Sequence, residues 1–228
     1  MHSTAQNLQV LFEDNHLIIV NKRCGDIVQG DKTGDIPLSD IVKEYIKEKY
    51  QKPGAVFLGT THRLDRPTSG IVIFAKTSKA LERINKMFRD KEIKKTYWAL
   101  VKNKPQPEQA ELQNYLVKNP KNNKSKVTSA SNPKAKLAIL DYTLRQALHS
   151  YFLLEINLHT GRHHQIRSQL SHIGCPIKGD LKYGFPRSNK DAGISLHSRK
   201  VSFIHPVKKE AVTLVAPCPP DPVWDACK

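Results

Sequence analysis

The stretch HRLDRPTSG, residues 62–70, sets one carboxylate, Asp65, between Arg63 and Arg66 and runs straight into a Pro-Thr-Ser-Gly turn. Pro67 steers Arg66 away from helix, so the segment is expected to be extended. In an extended segment Arg63 and Asp65 point to the same side. A cation beside a carboxylate favours its ionised form, the state that a nucleophile or an electrostatic stabiliser requires. The same residues would also serve as an Arg–Asp pair pinning a turn, and nine residues alone leave both readings open.

Two further segments carry groups of this kind. Tyr97, in KKTYWALVK, is either a core residue or a ring on which a base stacks. In TGRHHQIRSQL, Arg162 and Arg167 bracket His163, His164 and Gln165. They form either a solvated helix start or a set of contacts for phosphate and carboxylate. On a helix Arg162 and Arg167 lie a little over one turn apart, so they need not act together. The trio His159, His163 and His164 suggests a metal, but no HExxH and no acid-rich partner lies nearby, and the flanking arginines repel a cation. No metal site is expected. Lys118, Lys121, Lys124, Lys126, Lys134 and Lys136 form an acid-free tract, most simply a solvated loop region and otherwise a non-specific attractor of RNA.

Other chemistries have no support. The chain holds no GxxxxGK[ST] loop and no GxG spacing for a nucleotide phosphate cradle. It also lacks the GxSxG elbow of a serine hydrolase. Its charge is uneven: 37 Lys and Arg against 21 Asp and Glu, a net +16 over 228 residues. That excess favours a polyanion, since each cation well placed on a phosphate releases counterions. Membrane surfaces and acidic proteins attract cations too, so charge alone makes nucleic acid only the favoured partner. No apolar run reaches the length of a membrane span, and MHSTAQNLQV lacks the apolar core of a signal peptide. Cys24, Cys175, Cys218 and Cys227 are scattered without a CxxC pair, which argues against a zinc knuckle or disulfide framework and fits a reducing cytoplasm.

The elements that must position these groups are legible from periodicity. NLQVLFEDNHLIIVNK reads as two strands around an Asp-Asn turn. PLSDIVKEYIKEKY spaces Leu38, Ile41, Val42, Tyr45 and Ile46 as a helix, with Ser39 as its N-cap. GIVIFAK is a short buried strand, placing HRLDRPTSG on the loop that feeds it. A helix over Ser78 to about Arg89 buries Leu81, Ile84 and Phe88. KKTYWALVK, LAILDYTLRQ and YFLLEINL read as strands. No glycine lies between Gly70 and Gly161, so turns there rely on Asn, Pro and Ser, as in KNPKNNKSK and SASNPKAK. HHQIRSQLSHIG predicts a helix closed by Gly174, with Ile166, Leu170 and Ile173 on its apolar face. KVSFIHPVKKEAVTLVAP predicts a closing pair of strands. Strands that outnumber helices and adjoin one another favour an α+β fold with a largely antiparallel sheet. With no repeat and no linker, residues 1–228 are expected to form a single domain.

HRLDRPTSGIVIFAK resembles the signature of the RluA-type pseudouridine synthases, HRLD-x-x-TSG followed by an apolar strand and often Ala-Lys. KKTYWALV is similar to that family's K-x-Y-x-A strand. TGRHHQIRSQLSHIGCPIKGDLKYG is similar to its TGR-x-HQIR…G-x-P-I-x-GD-x-x-YG segment, and LHSRKVSFIHP to its closing strand. The resemblance implies a mixed, mainly antiparallel sheet with flanking helices and a central catalytic cleft. It implies an enzyme that isomerises uridine to pseudouridine in structured RNA, ribosomal or transfer, with no metal or organic cofactor.

By residue-level match, Asp65 would be the catalytic carboxylate. Arg63 would fill the space left by the flipped uridine. Tyr97 would stack on the base, with a possible part in proton handling at C5, and Arg167 would pair with the catalytic Asp. Arg66, Arg162, His164 and Gln165 are expected to contact RNA. Flipping costs a few kcal/mol, against which a guanidinium in the gap and a ring under the base are set.

The chain departs from the pattern where N-K-P-x-G becomes NKRCG, with Arg23 and Cys24 after Lys22, and where Pro67 stands in the HRLD-x-x-TSG gap. Because HRLD begins at residue 62, no S4-type RNA-binding domain is expected ahead of it, and a monomer is the default. Two other functions fit some of the same residues: a catalytically inert RNA-binding protein, and a glycosylase that excises the base. Free uracil would mark the second.

Overall fold

The computed structural model describes residues 2–30 and 33–227. In chain order its elements begin with strands β1 (Val10–Glu13) and β2 (Leu17–Lys22), helix α1 (Leu38–Lys49), strands β3 (Gly59–Thr60) and β4 (Ser69–Ala75), and helix α2 (Ser78–Arg89). Strands β5 (Lys94–Val101), β6 (Gln109–Asn119), β7 (Lys124–Thr128), β8 (Lys136–Ala147) and β9 (Phe152–Leu158) follow. Helix α3 (Gln165–His172), a single 3₁₀ turn (Leu181–Tyr183), strands β10 (Leu196–Ile204) and β11 (Ala211–Val215) and the short helix α4 (Pro222–Asp225) complete the chain. These elements form two compact units, each assembled from two segments. The first holds the chain up to Ile93 together with Ser198–Pro219; the second holds Lys94–His197 together with the stretch from Pro220.

In the first unit β2 lies antiparallel between β1 and β4, with Ile19 opposite Ile73 and Lys22 opposite Gly70. β10 neighbours β4 and pairs antiparallel with β11. Every residue of β2 and β4 is buried, which explains their unbroken apolar character in the sequence. Leu17, Ile19, Ile71 and Ile73 pack against Ala80, Ile84 and Met87 of α2 and against Val201 and Phe203. Each fully buried isoleucine there contributes roughly 1.5–3 kcal/mol.

The boundaries of α2 fall where periodicity put them, and Thr77 caps it, its hydroxyl accepting from Ala80 N at 3.2 Å. Its buried face is Ala80, Ile84 and Met87, with Leu81 and Phe88 only partly covered. α1 corrects one expectation. Ser39 is not its cap: it lies inside the helix and is buried. The N–H groups of Leu38 and Ser39 donate instead to the carbonyls of Ile27 and Val28, at 2.7 and 3.2 Å. Neighbouring backbone therefore does what a side-chain cap would otherwise do.

The second unit holds a sheet of five strands in the order β5-β9-β8-β6-β7, all pairs antiparallel. The register aligns Tyr97 with Ile156 and Ile156 with Tyr142, one buried row across three strands. The glycine-free turns are made by asparagine: Asn119, Asn122 and Asn132 each accept, through Oδ1, the N–H two residues on. α3 ends just before Gly174, which takes φ +75°. The α+β class and the mainly antiparallel sheet are as the sequence indicated.

Candidate active site

The HRLDRPTSG segment is shaped by a turn in which Thr68 N donates to Asp65 O at 3.0 Å, with Arg66 and Pro67 at the corners. Leu64 is buried and anchors the start; Asp65 is half-buried. Under the turn lies Lys22, 1% exposed. Its Nζ donates to the carbonyls of Arg23 at 2.9 Å, Arg66 at 3.1 Å and Thr68 at 2.8 Å. Gly25 N also donates to Arg66 O, at 3.0 Å, and the Cys24 thiol to Pro67 O, at 3.4 Å. The departing NKRCG loop is thus the cradle of the turn.

Burial pushes the Lys22 ammonium down to about 8, while the negative charge of Asp26 and Asp65 pulls the other way. Lys22 is therefore a cation close enough to Asp65 to feel its charge. Gly70 closes the motif at φ +111°, where a Cβ would fall 2.4 Å from Ser198 O, so no other residue fits.

The two arginines of this segment part company. Arg63 is exposed. Arg66 is turned to Asp35, with which it forms an ion pair, and to Thr33 Oγ1 at 2.8 Å. That pairing holds the Asp35 carboxyl below its usual range.

In the second unit Tyr97 is 5% exposed in the middle of β5. Lys95 lies two residues earlier and so on the same face. Burial lowers its pKa, and its Nζ would be 3.8 Å from a Cβ at Gly161. The face that carries Tyr97 therefore meets the start of the TGRHHQIR loop.

That loop is held from within. Gln165 Oε1 accepts from Thr160 Oγ1 at 2.8 Å and Arg162 N at 3.0 Å, and its Nε2 donates to Ile139 O at 3.1 Å. His164 takes a left-handed conformation at φ +51°, stacks on His163 with ring centroids 3.8 Å apart, and sets Nδ1 2.9 Å from the Tyr183 hydroxyl. Arg162 is exposed, with Nε donating to Leu137 O at 2.8 Å.

α3 is not a solvated helix start. Gln165, Arg167, Ser168 and Gln169 are all buried. Such burial requires partners. Ser168 Oγ donates to Ser125 O at 3.1 Å, and Gln169 Nε2 to Leu112 O and Asn114 Oδ1 at 3.0 and 2.8 Å. The Arg167 guanidinium forks onto Asp180, Nε to Oδ2 at 2.7 Å and Nη2 to Oδ1 at 2.9 Å, with side chains 6% and 1% exposed. It also lies 5.0 Å from the centroid of Tyr183. Two planar groups bonded in parallel fix the arginine's direction as well as its position.

Of the residues picked from sequence, Arg63, Asp65 and Arg66 share one turn, while Arg162, His164, Gln165 and Arg167 share one loop and helix start. The structure spends His164 and Gln165 on internal bonds. Sequence reading passed over Lys22, Lys95, Asp180 and Tyr183. All four lie in segments whose patterns were noted, but their roles come from contacts that spacing does not show.

Comparison with known proteins bears on the whole arrangement. A family model described as RNA pseudouridylate synthase matches residues 16–172, a span that includes Asp65, Tyr97 and Arg167. The chain belongs to the RNA pseudouridylate synthase family. The synthase is 35% identical, over 95% of its length and 69% of the relative's, to a Buchnera aphidicola protein named ribosomal large subunit pseudouridine synthase C. It is 31% identical, over 94% of its length and 67% of the relative's, to a Synechocystis protein named an uncharacterized RNA pseudouridine synthase. It thus spans about two thirds of these relatives. Among solved structures, human RNA pseudouridylate synthase domain containing 4 superposes with a TM-score of 0.81 at 24% identity, covering 96% of this chain and 93% of that one. The synthase is accordingly an enzyme that isomerises uridine in RNA. Among the described residues no helix is long and apolar enough to cross a membrane.

Proposed function

We propose that the synthase converts uridine in structured ribosomal RNA to pseudouridine in the cytoplasm, as a monomer whose two units make up one catalytic domain. The ribosomal target follows the name of the Buchnera relative, a ribosomal large subunit pseudouridine synthase. The observation that carries the catalytic assignment is the Asp65 turn: a half-buried carboxylate on a loop fixed by five bonds, with the Lys22 cation beneath it.

Asp65 acts as nucleophile or base, the roles a carboxylate fills in its ionised form. The N1–C1′ bond breaks, C1′ is rejoined to C5 of uracil, the C5 proton leaves and N1 gains a proton, so mass is conserved. Tyr97 supplies the ring for the extruded base. Arg167, aimed by Asp180, acts as a catalytic cation. Arg63 occupies the gap in the RNA, and Arg66 and Arg162 meet phosphates. His164 and Gln165 serve RNA binding by holding the loop that presents Arg162.

The test is a map of pseudouridines, by carbodiimide labelling and primer extension, in RNA from a strain lacking the gene. A ribosomal site lost on deletion, restored by the intact protein and not by Asp65→Asn, is the expected result. Restoration by the Asn variant would remove Asp65 from the chemistry. Loss of a site confined to transfer RNA would refute the ribosomal target. Release of free uracil would point to a glycosylase.

A further inference from the structure

A cavity of about 700 Å³ opens in the second unit, within the range of roughly 300–1,000 Å³ typical of ligand sites. It is not the Tyr97 face. Lys102, on its rim, follows the end of β5 and lies about 16 Å along the strand from Tyr97, at ~3.3 Å per residue. Four cations line it, Lys102, Lys178, Arg187 and Lys190, against one acid, Asp221. Asp221 is already committed as the cap of α4, its Oδ1 accepting from Val223 N at 2.9 Å.

The floor is aromatic. Tyr151, half-buried, lies 6.4 Å from Phe185 between ring centroids, and Lys178 Nζ stands 5.8 Å from the Tyr151 centroid. The wall is fixed by side-chain bonds. Asn189 Oδ1 accepts from Lys178 Nζ at 2.8 Å, and Asn189 Nδ2 donates to Ser195 Oγ at 3.3 Å. Asn189 packs so closely on Gly179 that a Cβ there would fall 2.7 Å away.

We propose that this pocket is a second RNA contact, which takes an unpaired nucleotide of the substrate away from the reacting uridine. The base stacks on Tyr151, and the flanking phosphates meet Lys102, Arg187 and Lys190. Exposed cations spread around a ring suit a backbone that passes through, because every base presents a π-face and each phosphate one charge. The proposal rests on the RNA synthase reading and adds a subsite to it.

The triple variant Lys102→Ala, Arg187→Ala, Lys190→Ala tests it, since all three side chains are exposed and their loss spares the fold. Binding to unmodified, transcribed large-subunit ribosomal RNA is measured by anisotropy, and pseudouridine formation in the same reactions by mass spectrometry. The expected result is a 10- to 100-fold weaker Kd, with the loss of activity concentrated in KM. The slope of log K against log salt should fall by about 2, at ~0.7 per phosphate contact on single strands. Tyr151→Ala should weaken binding about 5- to 150-fold, the range for losing one stacked base, and Tyr151→Phe should not.

A control triple, Lys47→Ala, Lys79→Ala, Lys200→Ala, removes the same charge from exposed positions in the first unit. Equal weakening in the two triples would overturn the proposal, as would displacement of RNA from the pocket by uridine monophosphate at equal concentration. Product formed by the intact enzyme with no pocket effect sinks the pocket alone. A pocket effect with no product sinks the enzymatic reading and keeps the RNA contact.

Discussion

Asp180→Asn is the most informative single change, because it leaves the shape of the site and removes one charge. In the native protein Asp180 and Arg167 share two short bonds with side chains 1% and 6% exposed. Losing one partner of such a pair strips the buried guanidinium of its charged, two-pronged acceptor, at a cost of about 3–5 kcal/mol. Spread over a chain of this size, at roughly 2–4 °C per kcal/mol, that lowers Tm by about 6–20 °C. Differential scanning calorimetry reads it directly. The same variant should lose most of its turnover, because the guanidinium no longer has a fixed direction. A second variant separates the two effects. Arg167→Met with Asp180→Leu removes both charges and should recover much of the stability, since apolar replacements of buried pairs are often neutral or better. It should stay inactive. A single Asn variant that melts within 2 °C of the parent, or a charge-free double variant that turns over normally, would refute the reasoning.

Lys22 links pH to the turn. Its folded value of about 8 lies below the ordinary 10.5, so the unfolded chain binds more protons between these values and stability from this group rises across pH 8–10.5. Activity should move the other way, falling above pH 8 as the neutral amine gives up one of its three bonds and the charge near Asp65; a flat rate from pH 7 to 9.5 would refute this. Lys22→Met should unfold more easily by roughly 0–6 kcal/mol, since about 3 kcal/mol of ammonium burial is relieved while three carbonyls lose a donor at ~1–3 kcal/mol each. Yet kcat should drop at least tenfold, as single-turnover assays would show. Gly70→Ala adds a Cβ 2.4 Å from Ser198 O at φ +111° and should cost about 3 kcal/mol in urea denaturation. Tyr97→Phe keeps the ring, so RNA affinity should hold; an unchanged kcat would remove the hydroxyl from proton transfer.

What the sequence disclosed followed from local physics. Strands β2 and β4 announced themselves as apolar runs because both their faces are covered. α2 was legible to the residue because Thr77 caps it and its apolar spacing is regular. The Asn turns of the glycine-free region were legible because asparagine makes a turn with its own side chain. Ser39 misled because serine at a helix start is a good cap only where no carbonyl competes, and Ile27 and Val28 do compete. Asp180 stayed hidden because its partner is thirteen positions away, with a turn between. Lys22 stayed hidden because a lysine at the end of a strand reads as solvated, and only the convergence of three carbonyls makes it internal.

The Gly70 contact has a consequence for how the enzyme is made. Ser198, against which Gly70 is pressed, belongs to β10, which the ribosome delivers only after nearly all of Lys94–His197, the larger segment of the second unit, has been made. Until then β4 lacks its β10 neighbour and the core of the first unit lacks Val201 and Phe203. A nascent chain halted before β10 therefore carries the HRLDRPTSG segment unsupported, with an open, sticky sheet margin that chaperones would have to shield. Late delivery of one strand thus acts as a timer: the chain matures only once translation has passed beyond it.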